Sequence, residues 1–562
     1  MRILGISSYY HDSAAAIIED GKIICAAEEE RFTRIKHDNN FPFNAARFCL
    51  KKAGISINDI PYIAYYEKPL LKFERILETF VATYPFSLKP FLKGIPEWME
   101  YKIKVGQTIR KKLKYKGEII YIPHHISHAA AAFYPSGFAE SAILTADAVG
   151  EYQTTGLWNA VGNKITPLKS INFPNSLGLL YSTFTSFLGF KVNEDEYKVM
   201  GLSAYGRPRF TNKIRRVIDI KEDGSFCLAM KYFYYRESFT MWGKEFEGLF
   251  GKPRKPNEPI LKRHKDIAAS LQEVVEKIYF KMLNHLYDLS KSKNLCIGGG
   301  IALNALANGK IYSKTPFENV YVLGAAGDSG GAIGATLYLY HSILNYKKRH
   351  KITDLTLGSE YDESQIEQIL KGYKLKYKKF NDENQLIDLV ARYLSRGEII
   401  GWFQGRMEFG PRALGARSIL SAPYPKLMKD KVNKTKGREE FRPFAGSVLR
   451  EKVHEYFEVP ERNLSSPFMT FCFQVREQRK KYLDAIVHQD GTSRIQTVSR
   501  ENGKYYKLIK RFGNITGRYC ILNTSFNLRG EPIVESPREA IEDFLKTEMD
   551  YLVLENFLVS KA

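Results

Sequence analysis

The sequence predicts an α/β protein of two domains, the first of them assembled from two related halves. Three observations carry this reading. A strand–turn–strand–glycine–strand passage opens the chain and recurs at 142–168. Glycine turns joining a strand to small, helix-suited residues occur at 294–304 and again at 322–335. Past a basic, polar hinge, NYKKRHKITD at 345–354, helix and strand patterns alternate afresh. The boundary is placed at 350, giving domains 1–350 and 351–562.

The opening passage runs ILGIS, a polar turn YYHDS, AAAIIED, then Asp20-Gly21 and KIICAAEEE. Two apolar runs across Asp-Gly read as a β-hairpin. Its echo is AILTADAVG, EYQTTGLWNAV, Gly162 and KITPL. No repeat of 20–50 residues exists, which excludes solenoids and propellers. FNAARFCLKKAG reads as a helix closed by Gly54. Residues 67–118 look helical and aromatic, and 205–262 irregular; both are insertions that shape a substrate site or serve as packed scaffold. From His264 an amphipathic helix leads into the strand NLCIGGG. In the second domain LGSEYDESQIEQIL and NQLIDLVARYLSRG read as helices, and EIIGWFQG and RYCILNTSF as strands.

With 562 residues, 44% of them hydrophobic, the chain can bury sizeable cores, and 26% charged residues argue against disorder. No apolar run reaches the roughly 18 residues of a membrane span, and the first residues lack a signal peptide's pattern, so a cytoplasmic enzyme without a membrane partner is expected. The six cysteines are scattered without a CxxC pair and read as reduced core thiols. Lys and Arg outnumber Asp and Glu by 84 to 62, a formal +22 that favours anionic partners. Because the excess is spread along the chain, solvated lysine-rich faces explain it as well, and nucleic acid is not the expected partner.

Three stretches carry chemistry. In IPHHISHAAAAFYPSGF, Pro123 suits a helix start and Pro135 a stop; His124 and His128 then share one face, about 6 Å apart along the axis, a spacing that lets two imidazoles bind one metal ion. A buried histidine cluster fits HxxxH equally well, and the motif names no third ligand. NLCIGGGIALN and VLGAAGDSGGAIGA bring Gly298, Gly299 and Asp328 into turns where backbone N–H groups approach phosphates closely. No Walker A pattern accompanies them. In the second domain GRMEFGPRALGARSIL, NKTKGREEFRPFAGSV, HQDGTSRIQTV and LNTSFNLRGEP gather Arg406, Arg412, Arg417, Lys434, Lys436, Arg438, Arg442, His488, Arg494, Gln496, Asn523, Ser525 and Asn527. Guanidinium forks in glycine-rich surroundings match phosphate or carboxylate oxygens better than they match a solvated face. No Gly-x-Ser-x-Gly elbow or catalytic cysteine context occurs, so covalent catalysis has no candidate.

With these motifs in order, the chain resembles the O-carbamoyltransferases of the nodulation-factor and antibiotic-tailoring type. The likeness rests on GISSYYHDSAAAIIEDG, AAEEERFTRIKHD, HHISHAAAAFYPSGF, TADAVGE, GGGIALN, GDSGGAIGA, EFGPRALGARSIL, NKTKGREEFRPFA, DGTSRIQTV and NTSFN, and runs over essentially the whole chain. It implies an actin-like ATPase first domain and a second α/β domain resembling threonylcarbamoyl-adenylate synthase. It further implies that carbamoyl phosphate and ATP form carbamoyl-adenylate and pyrophosphate in the second domain, and that the first transfers the carbamoyl group to a hydroxyl of a sugar or small-molecule acceptor. His124, His128 and Asp328 would hold a divalent metal, with Fe2+ expected and Mg2+ as a second ion. Lys436, Arg438, Ser525 and Asn527 match the KxR and SxN elements for carbamoyl phosphate and adenylate, with Arg412, Arg417, Arg442, His488, Arg494 and Asn523 as neighbours. Lys36 and Asp147, with Gly298, Gly299 and Asp328, are expected near the adenylate in the first domain, and His11 is the candidate for taking the acceptor's proton. A homodimer is a family-based expectation. The rival readings are an actin-like kinase, a tRNA threonylcarbamoyl-type transferase, and a non-catalytic nucleotide-binding regulator.

Overall fold

Asp20 and Gly21 both take positive φ, 49° and 77°, the two-residue turn whose twist suits antiparallel strands. In the computed structural model, which describes residues 1–460 and 464–561, this turn joins β2 (Ala14–Glu19) to β3 (Lys22–Glu28), and β1 (Arg2–Ser7) pairs antiparallel to β2. Beyond β1, β4 (Tyr62–Tyr65) and β5 (Glu118–Tyr121) continue the sheet in parallel, giving the order β3-β2-β1-β4-β5. The second half repeats the plan. β6 (Glu140–Ala146), β7 (Gln153–Val161) and β8 (Lys164–Asn172) form an antiparallel meander. After a small hairpin of β9 (Ile218–Ile220) and β10 (Phe226–Leu228), β11 (Asn294–Gly298) and β12 (Asn319–Val322) run parallel to β6 in the order β12-β11-β6-β7-β8. The second sheet thus repeats the strand order of the first, as expected of two related halves.

The chain divides into two units. One comprises Met1–Glu29, His37–Ala307 and Ile311–Ile352; the other takes Glu30–Lys36, Asn308–Lys310 and the chain from Thr353 onward. In the first, β1 and β2 are buried on both faces, so they read as continuous apolar runs rather than alternating ones. The helices His124–Phe133 and Asp328–Tyr338 pack against each other. A side chain at Gly334 would meet the Ser127 carbonyl at 1.8 Å, so only glycine permits that approach. The stretch 67–118 is helical over Pro69–Thr83, Leu88–Glu97 and Val105–Leu113, and the amphipathic helix runs Lys262–Ser290. Within 205–262 lie two short helices, Thr211–Ile214 and Lys244–Phe250, beside the β9–β10 hairpin.

The second unit holds one mixed sheet. Its strands are β13 (Lys376–Lys379), β14 (Ile400–Phe403), β15 (Arg417–Ser421), β16 (Ala445–Leu449), β17 (Phe471–Gln474), β18 (Thr492–Val498), β19 (Cys520–Ser525), β20 (Tyr551–Leu554) and β21 (Phe557–Ser560). They lie in the order β13-β21-β20-β14-β15-β19-β16-β18-β17. The helices Glu383–Ser395 and Gly503–Thr516 bury Leu386, Val390, Leu394, Leu508 and Phe512 in a core that includes Trp402. Cys227 is exposed and the other five cysteines are buried, and none of the six is in a disulfide. Among the described residues no helix is long and apolar enough to cross a membrane.

Candidate functional site

In the first unit, a helix start, the β6–β7 turn and the strand-to-helix turn after β12 converge. His124 opens the helix His124–Phe133, Asp147 follows the end of β6, and Asp328 opens the helix Asp328–Tyr338. His124 Nε2 and His128 Nε2 lie 3.1 Å apart. Asp147 Oδ2 sits 3.0 Å from His128 Nε2 and 3.4 Å from His124 Nε2. Asp328 Oδ1 lies 3.5 and 3.7 Å from the same nitrogens. Burial favours a neutral His128, but hydrogen bonds to the two carboxylates override it and raise the imidazole to about 9. Burial would raise Asp147, yet the two histidines hold it well below the carboxylate range. The half-buried Asp147 and the buried Asp328 thus face two imidazoles, and the four side chains offer ligand atoms within 4.8 Å of one another. Asp328 Oδ2 has no hydrogen-bond partner, which leaves it a lone pair for the same centre. Nitrogen and carboxylate oxygen donors in this number suit a first-row divalent ion.

The surroundings fix this group. Glu151 accepts the His124 backbone N–H at 3.0 Å and that of Lys68 at 2.8 Å. His125 turns away to the Thr145 hydroxyl at 2.9 Å, and burial holds its pKa well below the usual value. Gly298 ends β11 against the His128 carbonyl. Gly299 has φ +87, and a Cβ there would lie 2.3 Å from the Ala146 carbonyl. Its own N–H is spent on Ala326 at 2.9 Å. Asp147, expected near an adenylate, thus has its carboxylate in the histidine cluster.

His11 belongs to a second group. Its Nδ1 meets Asp12 Oδ2 at 2.7 Å, its Nε2 donates to the Asn193 carbonyl, and His37 Nδ1 meets Asp12 Oδ1 at 2.7 Å. Burial works against a charged His11, but the Asp12 carboxylate prevails and raises it to about 10. The residue read as a proton acceptor is therefore held as an imidazolium with both nitrogens engaged. The sequence reading overlooked Asp12 and His37, although YYHDS and KHD show the residues themselves.

In the second unit the KxR and SxN elements meet. The Lys436 ammonium donates to the carbonyls of Ser525 and Asn527, the latter at 2.8 Å, and to Asn527 Oδ1 at 3.0 Å. Ser525 Oγ donates to the same Oδ1 at 2.7 Å. Burial first, then the charges of Arg438 and Arg442, push Lys436 well below its usual pKa. Lys36 adds to that field, and it lies in the second unit with 30–36 rather than in the first, where it was expected. Arg34 ties this segment to the Ile533 and Pro532 carbonyls at 2.8 and 3.0 Å. Arg438 Nε donates to Asn433 Oδ1 at 2.6 Å, and Arg442 faces Glu439 at 3.8 Å. Arg412 and Arg494 both act on the Cys472 thiol, and Arg494 Nε is buried without a partner.

Three expected neighbours are occupied elsewhere. Arg417 is fully buried, its guanidinium donating at 3.1 Å to the carbonyls of Gln404, Gly405, Ala416 and Ser359 while lying over Phe403. His488 bridges the Phe444 carbonyl and the Thr492 hydroxyl. Asn523 links β19 to Ser447 at 3.1 Å and to Gln496 at 3.3 Å. Sequence proximity could not separate these from ligand-facing residues, because a buried guanidinium satisfied by carbonyls and one facing a ligand look alike in a motif.

Family models described as carbamoyltransferase N-terminus and carbamoyltransferase C-terminus match residues 2–337 and 391–561. An uncharacterized protein of Synechocystis is 46% identical over 100% of this chain and 97% of its own length. The nodulation protein NolNO of Sinorhizobium fredii is 37% identical over 99% of this chain and 80% of its own. The nodulation protein NolO of Bradyrhizobium diazoefficiens is 38% identical over 78% of each.

Proposed function

Because the chain belongs to the carbamoyltransferase family, we propose that it is an ATP-dependent O-carbamoyltransferase working in two stages. In the first, water cleaves carbamoyl phosphate to carbamate and phosphate at the second unit's cationic site. A carbamate oxygen then attacks the α-phosphorus of ATP, and pyrophosphate leaves carbamoyl-adenylate behind. In the second, a hydroxyl of a sugar or other small acceptor attacks the carbamoyl carbon in the first unit, and AMP leaves.

The observation that carries this reading is the Lys436 site. A buried ammonium ringed by Ser525 and Asn527, in the field of Arg438, Arg442 and Lys36, concentrates positive charge, with Asp543 the acid whose field opposes it. Such a field binds phosphate oxygens and stabilises the charge that develops as they depart. Arg412 and Arg494 extend it. We leave Arg417, His488 and Asn523 out of the contact set, since their polar groups hold the fold.

In the first unit His124, His128, Asp147 and Asp328 would hold the divalent ion, Fe2+ in this reading, with Mg2+ accompanying the nucleotide. Bound there, it would supply Lewis acidity toward a carbonyl oxygen. His11 receives the acceptor's proton once it has lost its own and the Asn193 carbonyl has yielded to the hydroxyl. Asp12 keeps the ring oriented throughout.

The test follows pyrophosphate from the full chain with ATP, with and without carbamoyl phosphate. Release that depends on carbamoyl phosphate is expected. Metal-replete protein that makes no pyrophosphate, but forms ADP with sugars, would make it a kinase instead.

A further inference from the structure

Arg75 is a buried cation without a bond. It is 8% exposed, it makes no hydrogen bond or ion pair among the described residues, and its Nε is among the buried atoms lacking any partner. Its guanidinium lies 4.8 Å over the Phe173 ring. The carboxylates that act on it, Glu67 and Glu151, are committed elsewhere: Glu67 to the Lys72 ammonium at 2.6 Å, Glu151 to the backbone N–H groups of His124 and Lys68. Keeping a guanidinium whose buried Nε has no partner is costly, and an anion bound there would offset that cost.

The helix that bears Arg75 is built around this side chain. Pro69–Thr83 turns Lys72 and Arg75 inward, one turn apart, and leaves Leu70 69% and Val81 74% exposed. A helix that served only the core would turn its leucines in and its cations out. The inward face looks toward the reaction centre. Lys72 lies 4.6 Å over the Tyr10 ring, and the Tyr10 phenol feels the charges of Asp147, Asp328 and Arg75. Glu151, whose charge reaches Arg75, also anchors His124.

We infer that Arg75, backed by Lys72 and Phe173, forms an anion subsite for the acceptor: the alcohol that is carbamoylated carries a carboxylate or a phosphate, which Arg75 binds by two parallel N–H donations. This deepens the function proposed above by naming the acceptor's class. The neighbouring charges are Lys72, Glu67, Glu151 and the phenols of Tyr10 and Tyr152.

The test is calorimetric titration of the full chain with inorganic phosphate and with acetate, in wild type, Arg75→Gln and Arg75→Lys. Because phosphate also suits the Lys436 site, the difference between wild type and Arg75→Gln is what counts. One binding event should vanish in Arg75→Gln and return in part in Arg75→Lys. Turnover with glucose, glucuronate and glucose 6-phosphate then separates the two sources of anion: the charged sugar of the right kind should exceed glucose at least tenfold in kcat/KM, and the ratio should fall toward one in Arg75→Gln. Carbamoyl-phosphate-dependent pyrophosphate release should be unchanged in every variant. Identical phosphate and acetate binding in wild type and Arg75→Gln overturns the inference and leaves Arg75 a cation balanced through space by Glu67 and Glu151. Absent pyrophosphate release in the wild type would overturn the two-stage chemistry, while the titration still decides the subsite.

Discussion

Replacing Lys436 with Met keeps the volume of the side chain and removes its charge. Three donations from the ammonium are lost, to the Ser525 and Asn527 carbonyls and to Asn527 Oδ1. Hydrogen bonds to a charged group are worth about 1.5–3 kcal/mol in stability, but the variant also removes a desolvated cation from beside Arg438 and Arg442. The two effects oppose each other, so the second unit should remain folded, with a thermal transition close to the wild type's. Catalysis has no such offset, because a preorganised cation aimed at a phosphate is worth about 2.7–4 kcal/mol, on the order of 10²–10³-fold. Pyrophosphate release dependent on carbamoyl phosphate should fall by that factor in Lys436→Met. Pyrophosphate release within threefold of wild type would refute the assignment.

Three further outcomes are expected. His124→Ala should abolish carbamoyl transfer to the acceptor while leaving pyrophosphate release within about threefold; equal loss of both half-reactions would count against separable stages. Asp147→Asn removes the carboxylate 3.0 Å from His128 and should lower first-row metal content per chain at least tenfold by elemental analysis, whereas unchanged content would remove Asp147 from the ligand set. Asp12 raises His11 to about 10, so the neutral, proton-accepting form grows tenfold per pH unit below that value. The transfer step, measured in single turnover, should therefore climb with pH in wild type, and Asp12→Asn should bring its midpoint down, since burial is then opposed only by the charge of Asp328 and the Asn193 carbonyl; a flat profile in both would take the proton from some other group.

Much of the fold was legible because local chemistry dictates it. Asp20-Gly21 compels a hairpin, Pro123 and Pro135 bracket a helix whose alanines carry it, and the NLCIGGG turn accepts backbone geometry that a side chain would forbid at Gly299. The His124–His128 pair was legible for the same reason, since helical spacing alone places both imidazoles on one face. The Lys436, Ser525 and Asn527 group was legible only through motif likeness, as 89 residues separate Lys436 from Ser525 along the chain.

What tertiary structure decided was partnership. Asp147 and Asp328 lie 181 residues apart in sequence, yet both face the same two nitrogens, because Asp147 follows β6 and Asp328 follows β12, the two strands that flank β11 in one sheet, and both strands contact the histidine helix. Lys36 travels with Arg34 into the second unit, which no local pattern foretells. Arg417 and Arg75 are both inward-facing arginines in glycine- or leucine-rich sequence, but one meets four carbonyls and the other none. Spacing along the chain sets which side chains share a face; whether a buried charge is satisfied depends on what the rest of the fold brings within about 3 Å of it, and that is settled only when the sheets close.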